Sequence, residues 1–263
     1  MHNVLDFLKM PRDLPPTLDT VRRLLHAYVH SVPWGSATRI ARAATLPLSK
    51  RPRDSAAFWQ EALTLGAGGT CFESNGAFFA LLQYLGYDGY LTINNMGDTV
   101  GCHSAIVLHL NGTRWLVDVG LPIDVPISLQ PDQITVVSGT IHDYACVPTT
   151  NPARFEIMRS HHPRPNAFTL VDEPVAADTY WEHVVADHGP GGLFLDQVIL
   201  SKIIDGTQWR YNGRADGHTF EVFHGRGDKA THPITGDVAA ALSERFGIDR
   251  DLVQTALDSA AQR

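Results

Sequence analysis

The chain has no run of the roughly 18 apolar residues that a membrane-spanning helix needs, which excludes such a helix and leaves no membrane partner expected. Cysteine is scarce, with only Cys71, Cys102 and Cys146 among 263 residues. Three thiols are too few and too odd in number for a disulfide framework. A reducing compartment fits, and a cytoplasmic location is expected. Positive charge is short as well: 21 Lys and Arg stand against 28 Asp and Glu, for a net charge of −7. Nucleic-acid binding needs a basic surface to neutralise phosphates, so no nucleic-acid partner is expected. The local cationic spots Lys50-Arg51-Pro52-Arg53 and His161-His162-Pro163-Arg164 are each able to meet a phosphate, but such spots are more often solvated surface. Met1–Met10 lacks a positive stretch followed by a long apolar one and does not read as a signal peptide. Thirteen histidines are many, yet there is no HExxH, no CxxC and no other close ligand set, so no metal is expected.

What is present is an ordinary globular composition, long enough to bury a sizeable core. The first third reads as helical. Val21, Leu24, Leu25, Tyr28 and Val29 form one stripe within Asp19–Ser31, with Asp19 and Thr20 as caps and Pro33 as a stop. A second helix runs through Phe58, Trp59, Ala62, Leu63 and Leu65 until Gly66-Ala67-Gly68-Gly69 breaks it. Cys71 opens a third, through Phe72, Asn75, Phe78, Phe79, Leu82 and Leu85, ended by Gly86.

From Tyr90 to about Met158 the texture turns to short β-type runs: Tyr90–Ile93, Ser104–Leu110, Arg114–Val119, Ile134–Val137 and Tyr144–Val147. The proline-rich Pro163–Pro174 reads as a loop between units. Beyond it lie a helical pattern near Trp181–Ala186, a glycine turn at Gly189–Gly192, strands at Gln197–Ile204 and Thr219–Phe223, and a helix around Val238–Phe246. Helices followed by strands and then a mixed tail indicate an α+β chain with segregated layers rather than alternating βαβ units.

Three residues carry the chemistry. Cys71 follows a glycine turn at a helix start, where backbone N–H groups and the helix dipole favour a thiolate. Position alone leaves the blander reading open, since an unpaired cysteine is usually a small buried apolar residue. Downstream, Asn111-Gly112 between two β-rich runs signals a two-residue type I′ hairpin turn. With that turn, Leu110 faces Thr113, Asp118 lies opposite Ala105, and His103 and Asp118 become diagonal neighbours on one face. A three-residue loop would flip that relation. Trp115, Leu116, Val117 and Val119 surround Asp118 with apolar chain, and a buried carboxylate needs a partner such as an imidazole. The trio then forms a nucleophile, base and orienter. Cys102, adjacent to His103, is the rival nucleophile, but strand neighbours point to opposite faces.

At these residues the sequence resembles the arylamine N-acetyltransferases. Gly68-Gly69-Thr70-Cys71-Phe72-Glu73-Ser74-Asn75, His103 opening a strand, and Trp115-Leu116-Val117-Asp118-Val119-Gly120 carry the likeness. Val32-Pro33-Trp34 and Glu244-Arg245-Phe246-Gly247-Ile248 fit more weakly. The resemblance implies an N-terminal helical bundle over 1–87, a central antiparallel β-barrel over 88–187 and an α/β lid over 188–263. It implies Cys71 as nucleophile, His103 as base and Asp118 as orienter, with substrate contacts at Phe72, Leu121 and Trp34. It also implies ping-pong transfer from acetyl-CoA to an arylamine-like or hydrazine acceptor, acetyl-CoA being a substrate rather than a bound cofactor. Ala67 and Gly35 stand where the family carries an arginine and an acidic residue, consistent with loss of one ion pair. Leu121-Pro122 replace a phenylalanine and a glycine near the acceptor pocket. Three alternatives stay open: an amide synthase with a larger acyl donor, a cysteine hydrolase, and a family scaffold that no longer catalyses.

Overall fold

The computed structural model describes residues 1–213 and 217–262. Among them are helices α1 (His2–Phe7), α2 (Leu18–Ser31), α3 (Ala37–Thr45), α4 (Ser55–Leu65), α5 (Cys71–Tyr84), α6 (Ala177–Asp187), α7 (Val238–Phe246) and α8 (Arg250–Ala261). The strands of the central region are β2 (Asp88–Met96), β3 (Thr99–Leu110), β4 (Thr113–Val117), β5 (Ile127–Ser128), β6 (Thr135–Ser138), β7 (Asp143–Pro148), β8 (Arg154–Arg159) and β9 (Asn166–Val171). A second set comprises β1 (Trp34–Gly35), β10 (Ile199–Ile204), β11 (Thr207–Asn212), β12 (Thr219–His224) and β13 (Asp228–Pro233).

The α+β organisation expected from the sequence is the one the chain adopts. The central strands pair in the order β5-β4-β3-β2-β9-β8-β7-β6, with β5 returning beside β6 to give a nearly closed barrel. Every pairing is antiparallel. The second sheet runs β1-β10-β11-β12-β13, also antiparallel. The short β1 lies far from its sheet partners in sequence, so backbone pairing ties the N-terminal helices to the C-terminal sheet.

Three of the four apolar clusters among the described residues hold these layers. Leu24, Leu25, Tyr28, Phe58, Phe78 and Leu82 join the helices to the outer face of β3 and β4. Val107, Leu116, Phe155, Phe168 and Leu170 fill the barrel. Ile40, Leu200, Tyr211, Leu242 and Phe246 bind α3, α7 and α8 to the second sheet. No helix among the described residues is long and apolar enough to cross a membrane.

The Asn111-Gly112 turn forms as the sequence predicts: both residues have positive φ, 51° and 75°, and the ladder runs Leu110↔Thr113, Leu108↔Trp115, Ile106↔Val117. Four expectations are corrected. The Pro163–Pro174 loop contains β9, which seals β8 to β2; its prolines lie outside the paired span. The cap of α2 is Thr17, whose side chain accepts the Thr20 N–H, not Asp19 or Thr20. The strand expected at Arg114–Val119 ends at Val117, so Asp118 begins a turn rather than continuing the ladder. The strand expected from Gln197 starts at Ile199. The short α1, α3 and the final α8 carried no sequence signal strong enough to separate them from their surroundings.

Gly112 occupies the left-handed region, where a Cβ costs about 1–2 kcal/mol. Gly112→Ala is expected to lower the urea midpoint by about 1 kcal/mol in stability without changing the denaturant slope.

Candidate active site

Asp118 has no exposed surface. Its Oδ1 accepts hydrogen bonds from Asn75 Nδ2 at 2.9 Å and from the backbone N–H groups of Gly120 at 2.8 Å and Leu121 at 3.1 Å. Its Oδ2 lies 2.7 Å from Nε2 of the buried His103. The carboxylate therefore orients the imidazole through Nε2 and leaves Nδ1 available to the neighbouring Cys71 thiol. Burial disfavours the imidazolium, but the charge and hydrogen bond of Asp118, helped by Cys71, outweigh it and push the His103 pKa up to about 10. The ring also packs against Phe168 inside the barrel, centroids 4.6 Å apart.

Cys71 is 8% exposed and opens α5, with its thiol 3.7 Å from the Cys102 carbonyl. The side chain of Thr70 does not cap this helix. The N–H groups of the first turn have no intrahelical acceptor.

The fit between helix and barrel is close. A Cβ on Gly120 would lie 2.6 Å from the Cys71 Cα and 2.6 Å from Asn75 Nδ2, so only glycine lets the β4 turn approach Cys71. Asn75, one turn after Cys71, donates to the Ser104 carbonyl at 2.7 Å and accepts the Val119 N–H at 3.0 Å. Ser104 Oγ donates to the Cys71 carbonyl at 3.1 Å. From α6, the Tyr180 hydroxyl donates to the Phe72 carbonyl at 2.7 Å and lies 3.0 Å from Ser104 Oγ.

Two buried arginines brace the turn before Cys71. Arg53 donates to the Gly68 carbonyl at 2.8 Å and pairs with Glu73 at 2.6 Å and Glu61 at 3.1 Å. Arg39 donates to Thr70 Oγ1 at 2.8 Å and pairs with Asp187 at 2.7 Å. Burial alone would raise the Glu73 pKa; Arg53 and His188 outweigh it and hold the carboxyl below its usual range. The departures at Gly35 and Ala67 have a steric counterpart. A Cβ on Gly35 would lie 2.6 Å from the Ile199 carbonyl oxygen, and Ala67 is fully buried.

Phe72 is buried beside the thiol, edge-on to Tyr180. Leu121 is half-buried, tied to Asp118 by its N–H and packed on the barrel core. Trp34 bridges to Gly69, two residues before Cys71, and its ring meets Phe194 edge-on. Cys102 is half-buried, with its thiol 3.3 Å from the Thr99 carbonyl, and burial pushes its pKa up. The Gly189–Gly192 turn lines an open cleft of about 540 Å³ together with Arg51 and Phe194. Among the described residues no group of histidine, cysteine and carboxylate side chains is placed to hold a metal.

Sequence reasoning gave no role to Asn75, Ser104, Tyr180 or Arg39, and it placed Arg53 in a surface cationic spot, whereas Arg53 is buried and paired with Glu73 and Glu61. One signal was present: Glu73 is a charge inside an otherwise apolar helix, and a buried charge demands a counter-ion.

Arg53→Met leaves the buried Glu73 carboxylate with His188 as its remaining side-chain partner and is expected to cost about 3 kcal/mol near neutral pH. Because the native Glu73 pKa is depressed, its contribution is present above the unfolded carboxylate pKa and is lost as pH falls through the native one. Denaturant melts should show the gap between Arg53→Met and the wild type closing in acid.

Comparison with known proteins bears on this geometry. A family model described as N-acetyltransferase matches residues 17–254. None of the curated proteins matches at the sequence level. Among solved structures, the arylamine N-acetyltransferase of Mycobacterium abscessus superposes with a TM-score of 0.82 at 23% identity, covering 100% of this chain and 95% of that one. The arylamine N-acetyltransferase of M. tuberculosis gives 0.78 at 21% identity over 99% of both chains. That of M. marinum in complex with CoA gives 0.79 at 19% identity over 97% of both. With the family model spanning nearly the whole chain and this fold shared throughout, the chain belongs to the arylamine N-acetyltransferase family.

Proposed function

We propose that the chain transfers an acetyl group from acetyl-CoA, through a thioester on Cys71, to an arylamine-like or hydrazine nucleophile. The observation that carries this reading is the buried His103 imidazole held by the Asp118 carboxylate at 2.7 Å, on the strand whose Cys102 carbonyl the Cys71 thiol faces at 3.7 Å. In the first half-reaction His103 takes the Cys71 proton and the thiolate attacks the thioester carbonyl. The imidazolium, stabilised by Asp118, returns the proton to the departing CoA sulfur. In the second, the amine attacks the acyl-enzyme, His103 takes its proton, and the Cys71 thiol is restored.

No side chain caps the first turn of α5, so its backbone N–H groups are available to stabilise the tetrahedral oxyanion, an effect worth about 3–4 kcal/mol per donor. Phe72, packed in one apolar cluster with Cys71, and Leu121, in the turn whose N–H meets Asp118, are read as acceptor contacts, with Leu121 setting a smaller wall than phenylalanine. Trp34, against the turn before Cys71 and beside the Phe194 cleft, is read as a contact on the donor side. The M. marinum relative in complex with CoA supports a CoA thioester as donor.

Steady-state kinetics with acetyl-CoA and 4-anisidine test the reading. Parallel double-reciprocal lines are expected; intersecting lines would mean direct transfer. Asp118→Asn should lower kcat on the order of a thousandfold, since the amide no longer stabilises the imidazolium. Cys71→Ser should abolish transfer. Unaltered turnover in either variant would remove that residue from the scheme, and acetyl-CoA consumed equally fast without the amine would instead make the chain a hydrolase.

A further inference from the structure

The histidine-rich turn between β8 and β9 has no part in the chemistry above, and the strand that leads into it ends in an arginine. Along β8 the side chains of Phe155 and Ile157 fill the barrel, and strand alternation puts Arg159 next in the same inward row. The β7–β8 register agrees, since Arg159 lies opposite Tyr144, which packs in that core. A cation in a core-facing row needs an anion. Arg159 has none: its Nε donates to the Arg164 carbonyl at 3.3 Å, and it enters no ion pair among the described residues. Burial pushes the Tyr144 pKa up, so that side chain offers a neutral phenol and not a phenolate.

More positive charge gathers around it. The half-buried His162 ring lies 6.0 Å from that of His142, which packs edge-on to Tyr144. Nδ1 of His142 is buried without a hydrogen-bond partner among the described residues. Burial lowers the pKa values of Arg159 and His162, and the charges of Arg164 and of Arg210 from the second sheet lower both further. The nearby carboxylates do not balance this. Glu221 pairs with Arg210 at 2.5 Å but is shared with Lys229. Asp124 is taken up by the N–H and hydroxyl of Thr140, and the exposed Asp143 enters no ion pair among the described residues. In a chain of net charge −7, such a local excess of cations is a focus for an anion. Guanidinium forks and imidazole N–H groups suit a tetrahedral oxyanion with several acceptors. We propose that Arg159, His142, His162 and Arg164 form a phosphate-binding site at this end of the barrel, with Arg210 joining it from the second sheet. The site does not rest on the transferase reading. Its occupant is either the phosphates of the acyl donor or a separate phosphorylated compound, and the test separates the two.

Isothermal titration calorimetry of the full chain with inorganic phosphate, at constant ionic strength, tests it. Arg159→Gln should weaken binding by at least about tenfold, the range of one charge-assisted hydrogen bond. Arg23→Gln, at an exposed arginine of α2, should leave it unchanged. Because Arg159 has no protein anion to lose, Arg159→Gln should melt no lower than the wild type in phosphate-free buffer, and added phosphate should stabilise the wild type alone. If that variant fails to fold, Arg164→Gln, at an exposed side chain, should weaken binding severalfold. Competition names the occupant. Displacement of phosphate by CoA but not by pantetheine assigns the site to the donor, and displacement by neither assigns it to a separate phosphorylated compound. No binding at millimolar concentration, unchanged affinity in folded Arg159→Gln or, failing that, in Arg164→Gln, an equal loss in Arg23→Gln, or displacement by pantetheine would each overturn the proposal.

Discussion

A single carboxylate with no exposed surface joins the two halves of the site. Asp118 accepts from a helix side chain, from two backbone N–H groups of its own turn and from the imidazole of a neighbouring strand. A charge so far from water is tolerated only when its lone pairs are met. Satisfying them fixes three elements at once. Asn75 brings α5 against the hairpin, Gly120 and Leu121 turn the chain after β4, and His103 takes one orientation. The placement of Cys71 follows from this arrangement, because it lies one helical turn before Asn75, where Gly120 leaves no room for slack.

The turn that leads into Cys71 is held by charge rather than by apolar packing. Arg53 reaches both sides of Cys71, through the Gly68 carbonyl before it and Glu73 after it, while Arg39 holds Thr70 and Asp187. Buried ion pairs contribute little net stability but are costly to break, so their effect is to exclude other conformations of the Gly68–Thr70 turn. The turn is braced from both sides by pairs drawn from distant parts of the chain.

The core of the site was legible in the sequence because its geometry is local. The Asn111-Gly112 turn has only one common register, and from it the approach of His103 to Asp118 follows by counting. The same counting overran at Val119, since a carboxylate that accepts its own backbone N–H groups ends a strand in a turn. The helix stripes of α2 and α4 were visible, whereas α8, on a segment that is half polar, was not. Nor was β9 legible among prolines, where local chemistry says loop and only pairing with β2 and β8 says strand. Tyr180 and Arg39 were out of reach for the same reason: each reaches the site from a partner more than thirty residues away in the chain, and no periodicity encodes such contacts.

The account turns on Cys71 carrying the acyl group. Intact mass and peptide mapping after incubation with acetyl-CoA, with no acceptor present, test this most directly. The account predicts one acetyl group on the peptide containing Cys71, absent in Cys71→Ser, with release of free CoA. Acetylation mapped instead to Cys102, or no adduct together with no CoA release, would contradict it.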